Sequence, residues 1–306
     1  MQAGGAVLGS AAEGARVSAA PSSDPRQINN GHVIPDEGYC DQPYVVVTND
    51  GKWLCLLTTG KGVEGESGQH IISTISSDKG KTWSTPVDIE PANGPEASWV
   101  MPLKVPSGRV YAFYTYNKNN VREIPLDNSG PVGRRVDTLG AYVFKYSDDN
   151  GRTWSRERYE IPMRAYEIDR ENNFLGKVLF FWGVGKPIID RNTAYFGWAK
   201  VGKRWFMTEG MIMRSDNAVK EKDPARVRWE MLPAGDHGLR APKGVIAEET
   251  NLVALSNGTL YAMYRTVDGY LCHAYSKDRG RAWTPPEYAT YSPGGRRIKN
   301  PRAETA

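Results

Sequence analysis

The chain has 306 residues, of which 40% are hydrophobic, and it contains 9 Trp, 16 Tyr, 32 Gly and 20 Pro. This mix suits many short strands joined by tight turns rather than long helices, so the composition predicts an all-β protein. The formal charge of +4 arises from 39 Lys and Arg against 35 Asp and Glu, a balance that argues against a nucleic-acid-binding protein. No stretch approaches the roughly 20 consecutive apolar residues that a membrane-spanning helix needs.

The N-terminal segment predicts an exported protein. A run of small apolar residues ends at Val17-Ser18-Ala19, which has the form of a signal-peptidase site. The run lacks a preceding basic region and resembles the apolar part of twin-arginine export signals. We therefore predict a leader over residues 1–30 and a folded body over residues 31–306, located in the periplasm or outside the cell. A disordered Ala-, Gly- and Ser-rich tail is the alternative.

A repeated octet, S-x-D-x-G-x-T-W, is the strongest signal in the body. It starts at Ser76, Ser147 and Ser276, and an expanded copy starts at Ser215, where an insertion separates the turn from Trp229. The Ser and Asp side chains of such an octet can bond turn amides while Gly takes a positive φ, which predicts a hairpin turn. The starts are 71, 68 and 61 residues apart, so the repeat predicts four β-propeller blades of four strands each.

Each blade also carries an earlier turn followed by an aromatic-rich strand, which predicts its second strand. A short segment before that turn should open the innermost strand. These openings are Asp41-Gln42-Pro43, Pro95-Glu96-Ala97, Gly185-Lys186-Pro187 and Glu248-Glu249-Thr250, and Asn300-Pro301-Arg302 resembles the start of a fifth blade. The fifth opening predicts that the sequence is the first part of a longer propeller.

The three cysteines show no metal-ligand spacing. Cys40 should face a residue near Gly60 across a hairpin, which argues against a disulfide between Cys40 and Cys55. We predict that Cys40, Cys55 and Cys272 are all small core residues.

Catalytic groups are expected at the inner strand openings and on the loops beside them. Because adjacent residues of a strand point to opposite sides, Glu248 and Glu249 should not both reach the central funnel, which argues against a two-carboxylate glycosidase. The whole set is polar and rich in cations, which suits an acidic sugar. The openings supply Asp41, Gln42, Glu96, Lys186, Glu248 and Arg302, and the loops add His70, Arg122, Arg135, Asp137, His237, Arg240, Lys243 and Arg265.

The octets are Asp boxes (BNR repeats), and they occur together with segments such as DQPYVV, GPEASW, RVDTLGAYVFKYSDDNGRTWS and PGGRRIKNPRA. Over about residues 31–303 this pattern resembles the sialidase superfamily, in particular L-rhamnose-α-1,4-D-glucuronate lyases and related α-L-rhamnosidases. The resemblance implies a sialidase-like β-propeller, of which about four blades and the start of a fifth are present. Exo-sialidases open their first blade with an Arg-Ile-Pro motif, whereas this chain has His32-Val33-Ile34-Pro35.

The resemblance implies cleavage of an acidic or rhamnose-containing oligosaccharide or polysaccharide, either by the β-elimination of a rhamnose-glucuronate lyase or by the hydrolysis of a related glycosidase. Of the two, β-elimination is the first choice. In such a reaction His70 would act as base or acid, and Arg122 or Arg265 would neutralise the uronate carboxylate. An exo-α-sialidase and a non-catalytic carbohydrate-binding propeller are the alternatives. No cofactor is implied apart from a possible structural calcium, and no metal ligands are assigned. The predicted substrate-binding residues are Gln42, Glu96, Tyr116, Arg135, Lys243, Arg265 and Arg302.

Overall fold

The chain divides into two compact units, Met1–Val33 and Ile34–Ala306. In the first unit a single turn of 3-10 helix spans Ile28–Asn30, and the predicted cleavage site at Val17-Ser18-Ala19 lies outside the described residues. The computed structural model describes residue 24 and residues 26–125, 135–203 and 207–303, with the backbone alone for residues 301–303.

The second unit is a four-bladed β-propeller of antiparallel sheets, so the predicted all-β class and blade number are confirmed. In the first two blades, four consecutive strands pair in chain order. Blade 1 consists of β1 (Tyr39–Val47), β2 (Trp53–Gly60), β3 (His70–Ser76) and β4 (Val87–Asp88), and blade 2 of β5 (Ala97–Lys104), β6 (Val110–Tyr116), β7 (Ala141–Ser147) and β8 (Tyr159–Glu160).

Blade 3 differs because its innermost strand is split into two pieces that both pair with the same neighbour. The strands of blade 3 are β9 (Phe181–Trp182), β10 (Ile188–Asp190), β11 (Thr193–Val201), β12 (Thr208–Ser215) and β13 (Glu230–Leu232). A short helix, α1 (Glu167–Arg170), precedes them, and single 3-10 turns lie at Val136–Thr138 and Pro224–Arg226.

Blade 4 carries an additional strand in its central loop. This strand pairs antiparallel with the segment that the sequence predicted as the opening of a fifth blade. The strands are β14 (Glu248–Ala254), β15 (Leu260–Arg265), β16 (Asp268–Tyr270), β17 (Cys272–Ser276), β18 (Glu287–Tyr288) and β19 (Lys299–Ala303). None of the helices in the described ranges has the length and apolar character needed to cross a membrane.

The Asp-box turns have the hydrogen bonds that their sequence predicts. In the second box Asp149 Oδ1 accepts from the Thr153 amide at 2.9 Å, and the Ser147 hydroxyl accepts from the Gly151 amide at 2.8 Å. Thr153 Oγ1 donates to the other carboxylate oxygen at 2.7 Å. The boxes that start at Ser76 and Ser276 repeat these backbone contacts. Each box therefore closes the turn between the third and fourth strands of its blade.

The expanded box of blade 3 uses Asn217 in the Asp position. Asn217 Oδ1 accepts from the Arg228 amide at 2.9 Å across the insertion, directly before Trp229. Asp216 instead points to the Arg228 guanidinium, 3.3 Å away on the surface. The amide therefore replaces the carboxylate, and the inserted residues lengthen the turn without removing its main contact.

We expect the Asp149→Ala substitution to lower the free energy of unfolding by about 1–3 kcal/mol, because it leaves turn amides without their acceptor. Burial raises the pKa of Asp149, but hydrogen bonds, chiefly those from Thr153, lower it by more. The pKa therefore lies below 3.8. A lowered carboxyl pKa stabilises the fold above the unfolded value, and this stabilisation is lost as the pH falls through the folded pKa. Urea denaturation should therefore show the full deficit above pH 4, and a smaller deficit as the pH drops below it.

Asp216→Ala is the matched control, because Asp216 occupies the neighbouring position of a box whose acceptor is Asn217. Its loss should change the free energy of unfolding by less than about 0.5 kcal/mol. Equal losses in the two variants would contradict the assignment of the turn contacts.

The hydrophobic core lies between neighbouring blades. Aromatic rings from blades 2 and 3 fill one such interface, where the Phe113 ring centroid lies 4.8 Å from that of Phe196 and 5.3 Å from that of Trp229. Further clusters join blade 1 to blade 2 and blade 3 to blade 4. The apolar face of each sheet is thus buried against the next sheet, as in a propeller.

The prediction for the cysteines is wrong for one residue. Cys55 and Cys272 are buried, and burial raises the pKa of each thiol to about 12. Cys40 is exposed and pairs with Thr59 in the β1–β2 ladder, next to Gly60. Cys40 differs because a β-bulge follows it and changes which side chains of β1 face the core.

Candidate functional site

The innermost strands of three blades share a backbone irregularity. Gln42, Trp99 and Glu249 all adopt a positive φ, between 50° and 63°. At each position the register between the first and second strands shifts by a β-bulge. A positive φ is uncommon for residues other than glycine and costs free energy, and such strain is concentrated at functional sites.

All three bulge residues line one cavity of about 580 Å³ at the start of the inner strands. We call it the acidic cavity, because among the residues that the structure describes its lining includes the carboxylates of Asp41, Glu64, Glu248 and Glu249 and two guanidinium groups, those of Arg135 and Arg265. Among the described lining residues the acids outnumber the cations, so the expectation of a cation-rich funnel receives no support from this cavity. Most of the predicted cations lie outside the cavity, and the loop residue Glu64 adds an acid that the strand openings did not reveal.

Each arginine of the acidic cavity is held by two carboxylates. Arg265 donates to Glu248 Oε1 at 2.7 Å and lies 2.8 Å from Glu249 Oε1. Arg135 donates to both oxygens of the buried Asp137 at 3.0 Å and to Glu64 at 2.8 Å. These charge-assisted bonds neutralise much of the positive charge that the cavity would otherwise present.

Glu248 and Glu249 reach the same guanidinium although they are adjacent in the chain. The prediction that only one of them can face the funnel is therefore wrong. The bulge at Glu249, with its φ of 54°, breaks the alternation of side chains that a regular strand imposes. The Glu248 side chain is buried, whereas that of Glu249 is 30% exposed and accessible from the cavity.

The electrostatic environment of Asp41 differs from that of an exposed carboxylate. Burial raises its pKa, and the negative charges of Glu64 and Asp137 raise it further. A hydrogen bond with Tyr39 and the charge of Arg135 act in the opposite direction without cancelling the shift. Asp41 therefore retains its proton to a higher pH than an ordinary aspartic acid.

Two hydrogen bonds link strand β1 of blade 1 to the segment between β9 and β10 of blade 3. The Tyr44 hydroxyl donates to the Val184 carbonyl, and Lys186 donates to the Val45 carbonyl at 2.9 Å. Burial and the charges of Asp41 and Glu249 together raise the pKa of Tyr44 to about 12. Asp41 and Glu249, which come from different blades, therefore both act on Tyr44.

Two indole rings form an aromatic wall. Trp99 and Trp182 belong to one hydrophobic cluster, and the edges of both rings line the cavity. Trp99 donates from Nε1 to the Asp137 carbonyl at 3.1 Å, and its ring lies 5.9 Å from the Arg135 guanidinium carbon. Gly65 has a positive φ and packs so closely on Arg135 that a Cβ would lie 2.2 Å from its Cδ. The walls of the site are thus fixed by packing.

Glu96 and Arg122 form a contact of their own beside the cavity rather than in it. The Glu96 carboxylate is buried and accepts from Arg122, from the Asn117 amide group at 3.0 Å and from the Gly68 amide at 3.2 Å. Glu96 thus anchors the loop that carries Arg122. Neither residue is part of the cavity lining.

His70 and Tyr116 are also placed away from the cavity lining. The imidazole of His70 is buried at the start of β3, where Nε2 lies 3.6 Å from Asp88 and 3.7 Å from Glu37. Tyr116 stacks under Arg158, whose guanidinium carbon lies 3.7 Å from the ring centroid. The catalytic role of His70 stays a prediction, and the geometry gives it no support.

The other predicted cationic residues lie outside the acidic cavity or outside the described part of the structure. Lys243 is exposed outside the acidic cavity, with its backbone amide 3.3 Å from Asp268. His237 and Arg240 line a different cavity, of about 510 Å³, where Arg240 donates to Glu209 at 2.7 Å. The side chain of Arg302 falls outside the described part of the structure. Of the predicted substrate-binding residues, Gln42, Arg135 and Arg265 line the acidic cavity.

Comparisons with known proteins agree with this fold. A family model described as BNR/Asp-box repeat matches residues 145–156, whereas curated protein sequences give no match. A protein of unknown function from Dyadobacter fermentans is similar, with a TM-score of 0.62 and 17% identity, over 84% of this chain and 71% of that chain. A Hadza microbial sialidase has a TM-score of 0.55 and 21% identity, over 80% and 46%. The intramolecular trans-sialidase from Ruminococcus gnavus has a TM-score of 0.55 and 14% identity, over 83% and 71%.

The chain has the fold of a sialidase-like β-propeller with Asp-box turns. At these identities the similarity describes the fold, and the chain spans less than half of the length of the Hadza sialidase.

Several cavity residues of this sialidase-like propeller were missed by the sequence-based prediction, although a signal for one of them exists. Gln42, Trp99 and Glu249 each precede by nine residues the positive-φ glycine of the following turn, which is Gly51, Gly108 or Gly258. Counting back from these glycines would have assigned the opening of blade 2 to Trp99 instead of Glu96. Glu64 and Trp182 have no such signal, because they lie on a loop and in the split strand of blade 3.

The described residues contain no group of three or more His, Cys, Asp or Glu side chains arranged to hold a metal ion. In the acidic cavity, Arg265 lies between the carboxylates of Glu248 and Glu249, and Arg135 lies between those of Glu64 and Asp137. The possible structural calcium stays a prediction.

Proposed function

We propose that this propeller cleaves glycosidic bonds by hydrolysis and that the acidic cavity is its active site. The observation that carries the proposal is the convergence of three strained bulge residues from three blades on one cavity. Carboxylates and indole rings together provide what a sugar site needs, because the rings pack against the apolar faces of a sugar and the acids transfer protons. The predicted export leader is consistent with a polysaccharide substrate outside the cell.

Asp41 is the proposed proton donor. Its raised pKa keeps a proton available, and as the bond between the anomeric carbon and the glycosidic oxygen breaks, that proton passes to the leaving oxygen. Glu249 is the proposed base. It is exposed to the cavity, so it can take a proton from the water whose oxygen bonds to the anomeric carbon. Exchange of protons with solvent then restores both groups.

Elimination by a rhamnose-glucuronate lyase receives less support from the cavity. The predicted base, His70, is buried outside the lining, and Arg122 is held by Glu96. Arg265 lines the cavity but is shared between two carboxylates. A uronate would have to displace these partners in order to be neutralised.

Product analysis distinguishes the reactions. The full chain should be incubated with arabinan oligosaccharides, rhamnose-capped gum arabic oligosaccharides and sialyllactose. Hydrolysis releases new reducing ends without a near-ultraviolet absorbing product, whereas elimination creates a double bond conjugated with the carboxylate. Release of free sialic acid would identify a sialidase. Binding without any cleavage would contradict the proposal and identify a carbohydrate-binding propeller.

The pH dependence of cleavage should report on Asp41. Because the acid must be protonated while the base is ionised, the alkaline side of the kcat/KM profile should fall as the pH rises through the folded pKa of Asp41. This alkaline limb is expected above 3.8, the ordinary value for aspartic acid. Glu64→Gln should move the limb to lower pH, because the charge of Glu64 raises the pKa of Asp41. An unmoved limb would exclude Asp41 as the group that titrates.

A further inference from the structure

The electrostatics of the acidic cavity restrict what kind of sugar it can hold. We infer that the sugar unit bound there carries no carboxylate, an inference that rests on the proposed function of the cavity as a glycan site. It separates this chain from a propeller that binds a uronate or a sialic acid at the same place.

The first step of the argument is that the negative groups are in excess. Among the described residues, four carboxylates line the cavity against two guanidinium groups. Asp137 adds a further buried acid behind Arg135. The arrangement therefore has more negative than positive groups even when one of the acids is protonated.

The second step is that the carboxylates already act on one another. Burial raises the pKa of both Asp41 and Asp137, and the negative charge of Glu64 raises both values further. A further anion in the same space would experience the same repulsion from Glu64. The site thus disfavours an anionic sugar before any contact is made.

The third step is that neither arginine presents its charge alone. Arg265 lies between Glu248 and Glu249, and Arg135 lies between Asp137 and Glu64, with every N–O distance at or below 3.0 Å. A two-point grip on a substrate carboxylate would require breaking one of these pairs and leaving a carboxylate behind. Hydroxyl groups of an uncharged sugar can instead donate to the carboxylates without displacing the arginines.

The test uses pairs of oligosaccharides that differ only in the carboxylate: galacturonan and gum arabic oligosaccharides, each with its carboxyl-reduced counterpart. Binding to the full chain would be measured by calorimetry and by the change in tryptophan fluorescence, to which Trp99 and Trp182 contribute as two of the nine tryptophans. The reduced member of a pair should bind at least about tenfold more tightly. Tighter binding of the native uronate member would overturn the inference, even if cleavage is observed.

A variant that removes one negative charge tests whether electrostatic repulsion is the reason for weak uronate binding. Glu64→Gln should improve binding of the uronate member about threefold to tenfold, because it removes one negative charge and one partner of Arg135. Glu66→Gln is the control, since it makes the same change on the same loop outside the cavity lining. Equal behaviour of the two variants would contradict the inference. Failure of every pair to bind, together with no cleavage of any glycan, would overturn the proposed function as well.

Discussion

Replacement of Asp41 by Asn should lower kcat for glycan cleavage by about 10²- to 10⁴-fold, the range typical of a general acid. The amide keeps the size of the side chain and its capacity to hydrogen-bond, but it cannot donate a proton to the leaving oxygen. Glycan binding should therefore change little. Initial rates and calorimetric binding on the same glycan would separate the two effects.

Asp36→Asn is the matched control for this prediction. Asp36 lies on the exposed segment before β1 and accepts from the Gly38 amide at 2.7 Å, outside the cavity lining. Its replacement should leave kcat unchanged. If Asp41→Asn kept full activity, another residue would have to supply the proton and the assignment of the catalytic acid would be wrong.

Replacement of Phe113 by Ala should have the largest effect on stability, about 3–5 kcal/mol. The ring is completely buried and contacts Phe144, Phe196 and Trp229. Two of these rings belong to blade 3, so the cavity would open at the interface between blades as well as within one sheet. The variant should unfold at a markedly lower urea concentration.

Tyr291→Ala provides the comparison, because Tyr291 is 65% exposed and its ring centroid lies 5.1 Å from the guanidinium carbon of the surface residue Arg296. Its loss should cost less than about 1 kcal/mol. Similar losses in the two variants would indicate that the interface between blades 2 and 3 contributes little to the stability of the propeller.

The sequence predicts the blades well because their turns are local. The hydrogen bonds that close the turn of an Asp box form within a few residues, so the residues that make them are visible as a motif. Even the insertion before Trp229 was recognisable, although the role of Asn217 was not. A period of 61–71 residues then determines the number of blades without any knowledge of how they pack.

The candidate site could be predicted only in part. Gln42, Arg135 and Arg265 were expected to bind substrate and do line the cavity. Glu96 and Arg122 were expected there for the same reasons, yet they bind each other. A charged residue at a strand end can either line the cavity or form an ion pair outside it. Which of the two occurs depends on the loop that the fold brings close to that residue.

The sequence alone thus determined the class of fold, the number of blades and the positions of their turns, because each depends on contacts between residues close in the chain. Only the tertiary structure decided the character of the site. A single positive φ at Glu249 turns two adjacent glutamates to one arginine, against the alternation of a regular strand. A loop acid, Glu64, then reaches Arg135 from 71 residues away. The described lining of the cavity is therefore acidic, whereas the sequence predicted a cation-rich funnel, because contacts between distant segments decide which charges line the cavity.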